Sequence, residues 1–182
     1  MRTSVFLAAL ILATPAAAWA SPDSARVEVT ADPGGASGLI RGSVEIEAAP
    51  DQVWKALVDC DRAARMVAEL KSCRVLESDP AGRWDVREHV SRAGLLPEVR
   101  NVFRSDYDPP YRIQFQKAGG ELKVFEGEWR LVPLDGGQRT RVIYENRATA
   151  PFSIPGPIAR MVLRHDVLDA LNALRREVLA QR

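Results

Sequence analysis

The chain has 182 residues, 25 Lys and Arg against 24 Asp and Glu, and 46% hydrophobic residues. That length supports one domain with its own core and is short for two. A formal net charge of +1 gives no basic footprint for nucleic acid, and 12 Gly with 12 Pro argue against a fibrous or disordered chain.

The N-terminus reads as an address. Arg2 supplies a positive n-region, Val5 to Thr14 an apolar h-region, and Ala18-Trp19-Ala20 a small-x-small cleavage site. The expected cut follows Ala20, with Ala16-Ala17-Ala18 as an alternative two residues earlier. An uncleaved membrane anchor is the competing reading, and the h-region is short for it. Residues 1–20 are therefore expected to be a signal peptide, and 21–182 a single periplasmic or secreted domain, with 21–38 as an N-terminal extension holding a short strand. Losing Arg2 leaves 24 basic and 24 acidic residues.

Along the mature chain, Arg26-Val27-Glu28-Val29-Thr30 alternates as a strand does. Asp32-Pro33-Gly34-Gly35 is turn chemistry, and residues 39–48 form a second strand with Ile40, Val44 and Ile46 on one face. The period then changes. Ala49-Pro50-Asp51 opens a helix that places Val53, Trp54, Leu57 and Val58 at helical spacing. Asp61 is placed to cap a second short helix ending near Leu70. Strands are predicted at about 72–78, 83–92, 97–107, 111–117, 121–133 and 139–148, separated by Gly, Pro and Asp breaks that suit consecutive hairpins. From about 156 to 180 a single long helix follows. The fold class predicted is α+β: a curved antiparallel sheet whose concave face the last helix covers.

Cys60 and Cys73 are the only cysteines, 13 positions apart. In an oxidising compartment a lone pair reads as a disulfide, with two buried free thiols as the alternative. A metal site is poorly supported, because two Cys without a nearby His do not supply four tetrahedral ligands. No metal or cofactor is called for.

Ala49-Pro50 followed by Val53-Trp54-Lys55-Ala56-Leu57-Val58-Asp59 resembles the opening of the START-like (SRPBCC) superfamily, in its polyketide cyclase/dehydrase-like and coenzyme Q-binding branches. Gly127-Glu128-Trp129-Arg130-Leu131, Thr140-Arg141-Val142-Ile143-Tyr144 and the proline-bounded start of the last helix fit the same pattern, over about residues 40–180. The resemblance implies a helix-grip fold with a hydrophobic cavity between sheet and last helix. Cys60 stands where many relatives have an aromatic residue, and Val67-Ala68 where they have Met-Pro; the cysteine pair looks suited to an exported member.

Alternation then sorts the strand faces. The sets expected to face the cavity are Trp84, Val86, Glu88 and Val90; Val99, Asn101, Phe103 and Ser105; Tyr111, Ile113 and Phe115; Phe125, Gly127, Trp129 and Leu131; and Val142, Tyr144, Asn146 and Ala148. Arg83, Asp85, Arg87, Arg141, Glu145 and Arg147 fall on the opposite faces, and His89 with them. On the last helix Leu163, Val167, Ala170, Leu171, Leu174 and Val178 share a stripe, with Arg160 and Arg164 beside its N-terminal continuation. Glu88, Asn101, Tyr144 and Asn146 either satisfy one another or orient a ligand's polar head. Arg160 and Arg164 either snorkel or meet an acidic group at the mouth.

No Gly-x-Ser-x-Gly, His-Glu-x-x-His or Walker loop is present. The expected partner is a hydrophobic small molecule (a lipid, quinone or polyketide-like compound) rather than nucleic acid. A cyclase or dehydratase using Glu88, Tyr144 or Arg164 for proton work, and a protein-interaction module, stay open beside it.

Overall fold

The computed structural model describes residues 24–31, 37–67, 69–92, 97–152 and 155–181. The proposed signal peptide, the turn at 32–35 and Gly94 lie outside them. In chain order the elements are β1 (Arg26–Ala31), β2 (Ser37–Ile46), α1 (Pro50–Leu57), α2 (Cys60–Met66), β3 (Leu70–Ser78), β4 (Trp84–Ser91), β5 (Val99–Asp108), β6 (Arg112–Gly120), β7 (Val124–Leu134), β8 (Arg139–Thr149) and α3 (Gly156–Leu179). The strands make one eight-stranded antiparallel sheet in the order β1-β2-β8-β7-β6-β5-β4-β3. With α3 across its concave face this is the α+β helix-grip architecture. The N-terminal strand is built into it: β1 pairs with β2 from Arg26↔Ser43 to Ala31↔Gly38.

Each short helix has a local cause. Pro50 sits in the first turn of α1, where its missing N–H costs nothing, and the Ala49 N–H donates to Gln52 Oε1 at 3.3 Å. The cap of α2 is Asp59 rather than Asp61: its Oδ1 accepts from the Asp61 and Arg62 N–H groups at 2.9 and 3.2 Å. The helix therefore starts at Cys60 and ends at Met66, short of Leu70, which already belongs to β3.

The packed core lies at one end. Val44 and Ile46 of β2, Val53 and Ala56 of α1, Leu131 and Val142 of β7 and β8, and Leu171, Leu174 and Val178 of α3 form one buried cluster. Thr140, fully buried, donates to the Ala48 carbonyl at 2.7 Å. Gly42 lets α3 lie against β2, since a Cβ there would sit 2.8 Å from Leu171 Cδ1. The first turns of α3 behave differently. Ile158, Met161 and Val162 are exposed, Met161 to 66%, so these turns present solvent with an apolar face that the core does not take up. Among the described residues no helix is long and apolar enough to cross a membrane.

Candidate functional site: a cavity between sheet and helix

Between the middle of α3 and the sheet a cavity of about 250 Å³ remains. Its walls are Phe103 and Ile113, Phe115, Trp129 and Tyr144 from the sheet, Val167, Ala170, Leu171 and Leu174 from α3, and Ala63, Met66 and Val67 from α2 and its C-terminal end. The rings form a continuous chain: Phe103 to Phe125 at 5.2 Å, Phe125 to Phe115 at 5.0 Å, Phe115 to Tyr144 at 6.2 Å and Tyr144 to Trp129 at 4.2 Å between centroids. Such offset and tilted contacts suit aromatic quadrupoles. A wider and shallower depression of about 510 Å³ lies on the outer face, lined mainly by Gln114, Gln116, Glu126, Glu128, Glu145 and Arg147. It lacks the enclosed apolar wall that a hydrophobic guest needs.

The expected site residues divide into three groups. Phe103, Phe115, Trp129 and Tyr144 line the cavity, and Phe125 packs behind Phe103 and Phe115. Asn101 and Asn146 are buried on the same inner face, and the Asn146 Nδ2 donates to Tyr144 Oη at 2.7 Å. Burial pushes the Tyr144 phenol well up, so it stays protonated.

Trp84 and Glu88 are corrections. They lie on the other face of β4, opposite Asp106 and Val102, whereas Asp85 and Arg87 pair with the inward Ser105 and Phe103. Trp84 stacks beneath the Arg104 guanidinium at 4.3 Å. Glu88 is clamped by Arg74 of β3 and Arg100 of β5, whose hydrogen bonds hold its carboxyl below the usual range. It is no polar spot of the cavity. Gly127 shares the inner face, but a Cβ there would meet the Glu145 carbonyl oxygen at 2.0 Å, so its role is close packing of β7 on β8. Arg160 and Arg164 are exposed on the first turns of α3 and are not among the cavity's lining residues, and the guanidinium partners of Glu88 are Arg74 and Arg100.

In place of Glu88, the interior holds Asp85, Arg87 and His89, which simple alternation assigns outward. Arg87 Nε donates to Asp85 Oδ1 and Oδ2 at 2.9 Å, and Nη2 donates to Asp85 Oδ2 at 2.7 Å and to Tyr107 Oη and the Val58 carbonyl at 2.8 Å. Tyr107 Oη in turn donates to Asp85 Oδ2 at 2.7 Å. Burial works against the Arg87 charge, but Asp85 and Tyr107 together outweigh it and the net direction is up. Arg87, Tyr107 and Ser105 reach the cavity wall, and so does His89, set edge-on to Phe103 at 4.8 Å. Burial, then the Arg87 charge, pushes the His89 imidazole down to about 4. Asp85 and Arg87 stand two apart on one strand face with opposite signs. That is the one sequence signal that could have marked them as an inward, self-neutralising pair.

Cys60 and Cys73 are joined as a disulfide with their Cα atoms 5.4 Å apart. It ties the start of α2 to β3, and so fixes the helix that forms one cavity wall.

Residues 46–175 match the model of a family described as polyketide cyclase / dehydrase and lipid transport. No curated protein matches the chain. Among solved structures, the STAR-related lipid transfer protein of Xanthomonas axonopodis superposes with a TM-score of 0.72 at 21% identity, over 89% of this chain and 96% of that one. TTHA0849 of Thermus thermophilus gives 0.67 at 24% identity, over 79% and 98%. The Zhui aromatase/cyclase of a Streptomyces strain gives 0.64 at 20% identity, over 78% and 93%. At these identities the likeness speaks to the fold.

Proposed function

We propose, from the premise that this chain belongs to the polyketide cyclase / dehydrase and lipid transport family, that it is an exported binding protein for a hydrophobic small molecule. The observation that carries this reading is the apolar cavity of about 250 Å³ beneath α3. Concave apolar space with a few fixed polar groups is the general form of a small-molecule site. Its volume is below the usual range for drug-sized ligands, so it fits a ring system or the end of one chain. Lipid transfer by one solved neighbour is in keeping with this reading. Export rests on Arg2, the apolar run and Ala18-Trp19-Ala20.

A second reading, a cyclase or dehydratase in the same cavity, draws on Arg87, Tyr107 and His89 at its wall. Against it, Arg87, Asp85 and Tyr107 already satisfy one another. Burial, followed by the hydrogen bond to Asp85, also shifts the Tyr107 phenol up, away from easy ionisation.

Native mass spectrometry of protein purified from the exported fraction tests both parts. The expected spectrum shows a chain starting at Ser21 with an apolar molecule bound. A chain that keeps Met1 in the cytoplasm overturns export, and a protein that neither carries nor takes up any apolar molecule overturns the cavity reading. Conversion of the bound molecule to a second product would move the assignment to the enzyme.

A further inference from the structure

On the inner face of the sheet three buried side-chain atoms have no hydrogen-bond partner among the described residues: His89 Nε2, Asn101 Oδ1 and Asn146 Oδ1. Asn146 stands on β8, where its Nδ2 already donates to Tyr144 Oη, whereas His89 and Asn101 are neighbours. The two residues are register partners on β4 and β5, so their side chains stand side by side on the inner face. His89 lines the cavity, and its ring edge meets Phe103, the first member of the aromatic chain. Asn101 is 7% exposed. Buried polar groups are ordinarily paired, and an orphaned one costs its full desolvation. Two orphans side by side, one of them on the wall of an apolar cavity, mark a place where a guest supplies the missing partner.

Resting on the cavity reading above, we propose that the guest is an uncharged aromatic or similarly flat apolar molecule bearing a hydroxyl group, seated with that hydroxyl between His89 and Asn101. The chemistry selects a hydroxyl over other polar groups. A neutral imidazole Nε2 donates or accepts according to its tautomer, and an amide offers an acceptor on one side and donors on the other. A hydroxyl carries one donor and two acceptor lone pairs, so it answers every arrangement of this pair. Charge is excluded by the surroundings. Arg87, the buried cation at the described wall, is already neutralised by Asp85, so a carboxylate or phosphate would enter without a counter-charge. Flatness follows from the sheet wall beside His89, where Phe103, Phe115, Tyr144 and Trp129 present rings.

Matched probes separate this claim from the reading it rests on. Naphthalene and 2-naphthol differ by one hydroxyl, whose desolvation would by itself favour naphthalene, and 2-naphthoate adds a charge. The wild-type protein is expected to bind 2-naphthol about tenfold more tightly than naphthalene, with 2-naphthoate the weakest. His89→Leu and Asn101→Leu are each expected to remove most of that preference, read as the ratio of the two affinities on the same variant, with a cooperative thermal melt reporting that the variant is folded. His89→Gln, which keeps a polar group, should retain part of it. Equal affinity of the wild type for the two neutral probes overturns the proposal while leaving the cavity reading standing. So does a preference that survives both Leu substitutions. If no probe binds at all, the cavity reading falls and the proposal with it.

Discussion

His89 shows how one buried imidazole converts into a measurable property of the whole protein. Its folded value of about 4 lies below the 6.5 of the free side chain, because burial and then Arg87 oppose its charge, with Asp85 pulling weakly the other way. Between those values the unfolded chain binds a proton that the folded protein refuses, so stability falls as pH drops from about 6.5 toward 4. The full window corresponds to roughly 3 kcal/mol. Asp166, a carboxyl on the same cavity wall, is shifted up by burial and then by Glu69, which gives the opposite slope as pH rises. A variant isolates the imidazole: urea titrations at pH 7 and pH 4.5 should show His89→Gln losing less stability on acidification than wild type. Equal losses would show that His89 does not resist protonation. The residue was hidden in the sequence because its strand neighbours Asp85 and Arg87 look solvated. Only their mutual ion pair, completed by Tyr107 and the Val58 carbonyl, lets that face turn inward.

At the scale of elements, what was legible followed from period and punctuation. The hairpin series from β3 to β8 is bounded by Gly, Pro and Asp breaks, and each strand falls within a few residues of its expected place. The phase of β4 was not legible, because polarity marks burial only where charges go unpaired. Here Glu88 is covered outside by Arg74 and Arg100 while Asp85 and Arg87 neutralise each other inside. The cap of α2 falls two residues early for a similar local reason: Asp59 and Asp61 are both good caps, and the carboxylate of Asp59 has the two free N–H groups in reach. The α2–β3 staple carries its own prediction. Closing a loop of 13 residues is worth about 3 kcal/mol in the chain-entropy model. The Cys60→Ser/Cys73→Ser variant should therefore melt roughly 10 °C lower and remain folded. Because Ala63, Met66 and Val67 lie on the tethered segment, affinity for a hydrophobic probe should fall as well. An unchanged affinity alongside the lower Tm would show that α2 keeps its place without the staple.

The whole molecule is built in two halves with different jobs. The C-terminal turns of α3 are locked by Leu171, Leu174 and Val178 into the core shared with β2, β7, β8 and α1, whereas Ile158, Met161 and Val162 of the N-terminal turns are exposed. The cavity lies against the middle of that helix, at Val167, Ala170, Leu171 and Leu174, so the packed end anchors the helix beside a space that interiors otherwise close to crystal-like density. Distinguishing a true cavity from loose core requires filling it without breaking the sheet. Gly127→Leu cannot do this: even a Cβ at that position runs into the β8 backbone, so the protein is expected to unfold whether or not the cavity binds anything. Ala170 is the better site. It lies on the cavity wall, half-buried, on a helix that tolerates a larger side chain facing open space. Ala170→Trp should place an indole into the cavity of about 250 Å³, weaken binding of a neutral naphthyl probe at least tenfold, and leave the melting temperature within a few degrees of wild type. Were the variant instead to lose its fold while the wild type binds no probe, the space would be core under strain from overpacking, and the binding reading would lose the observation on which it stands.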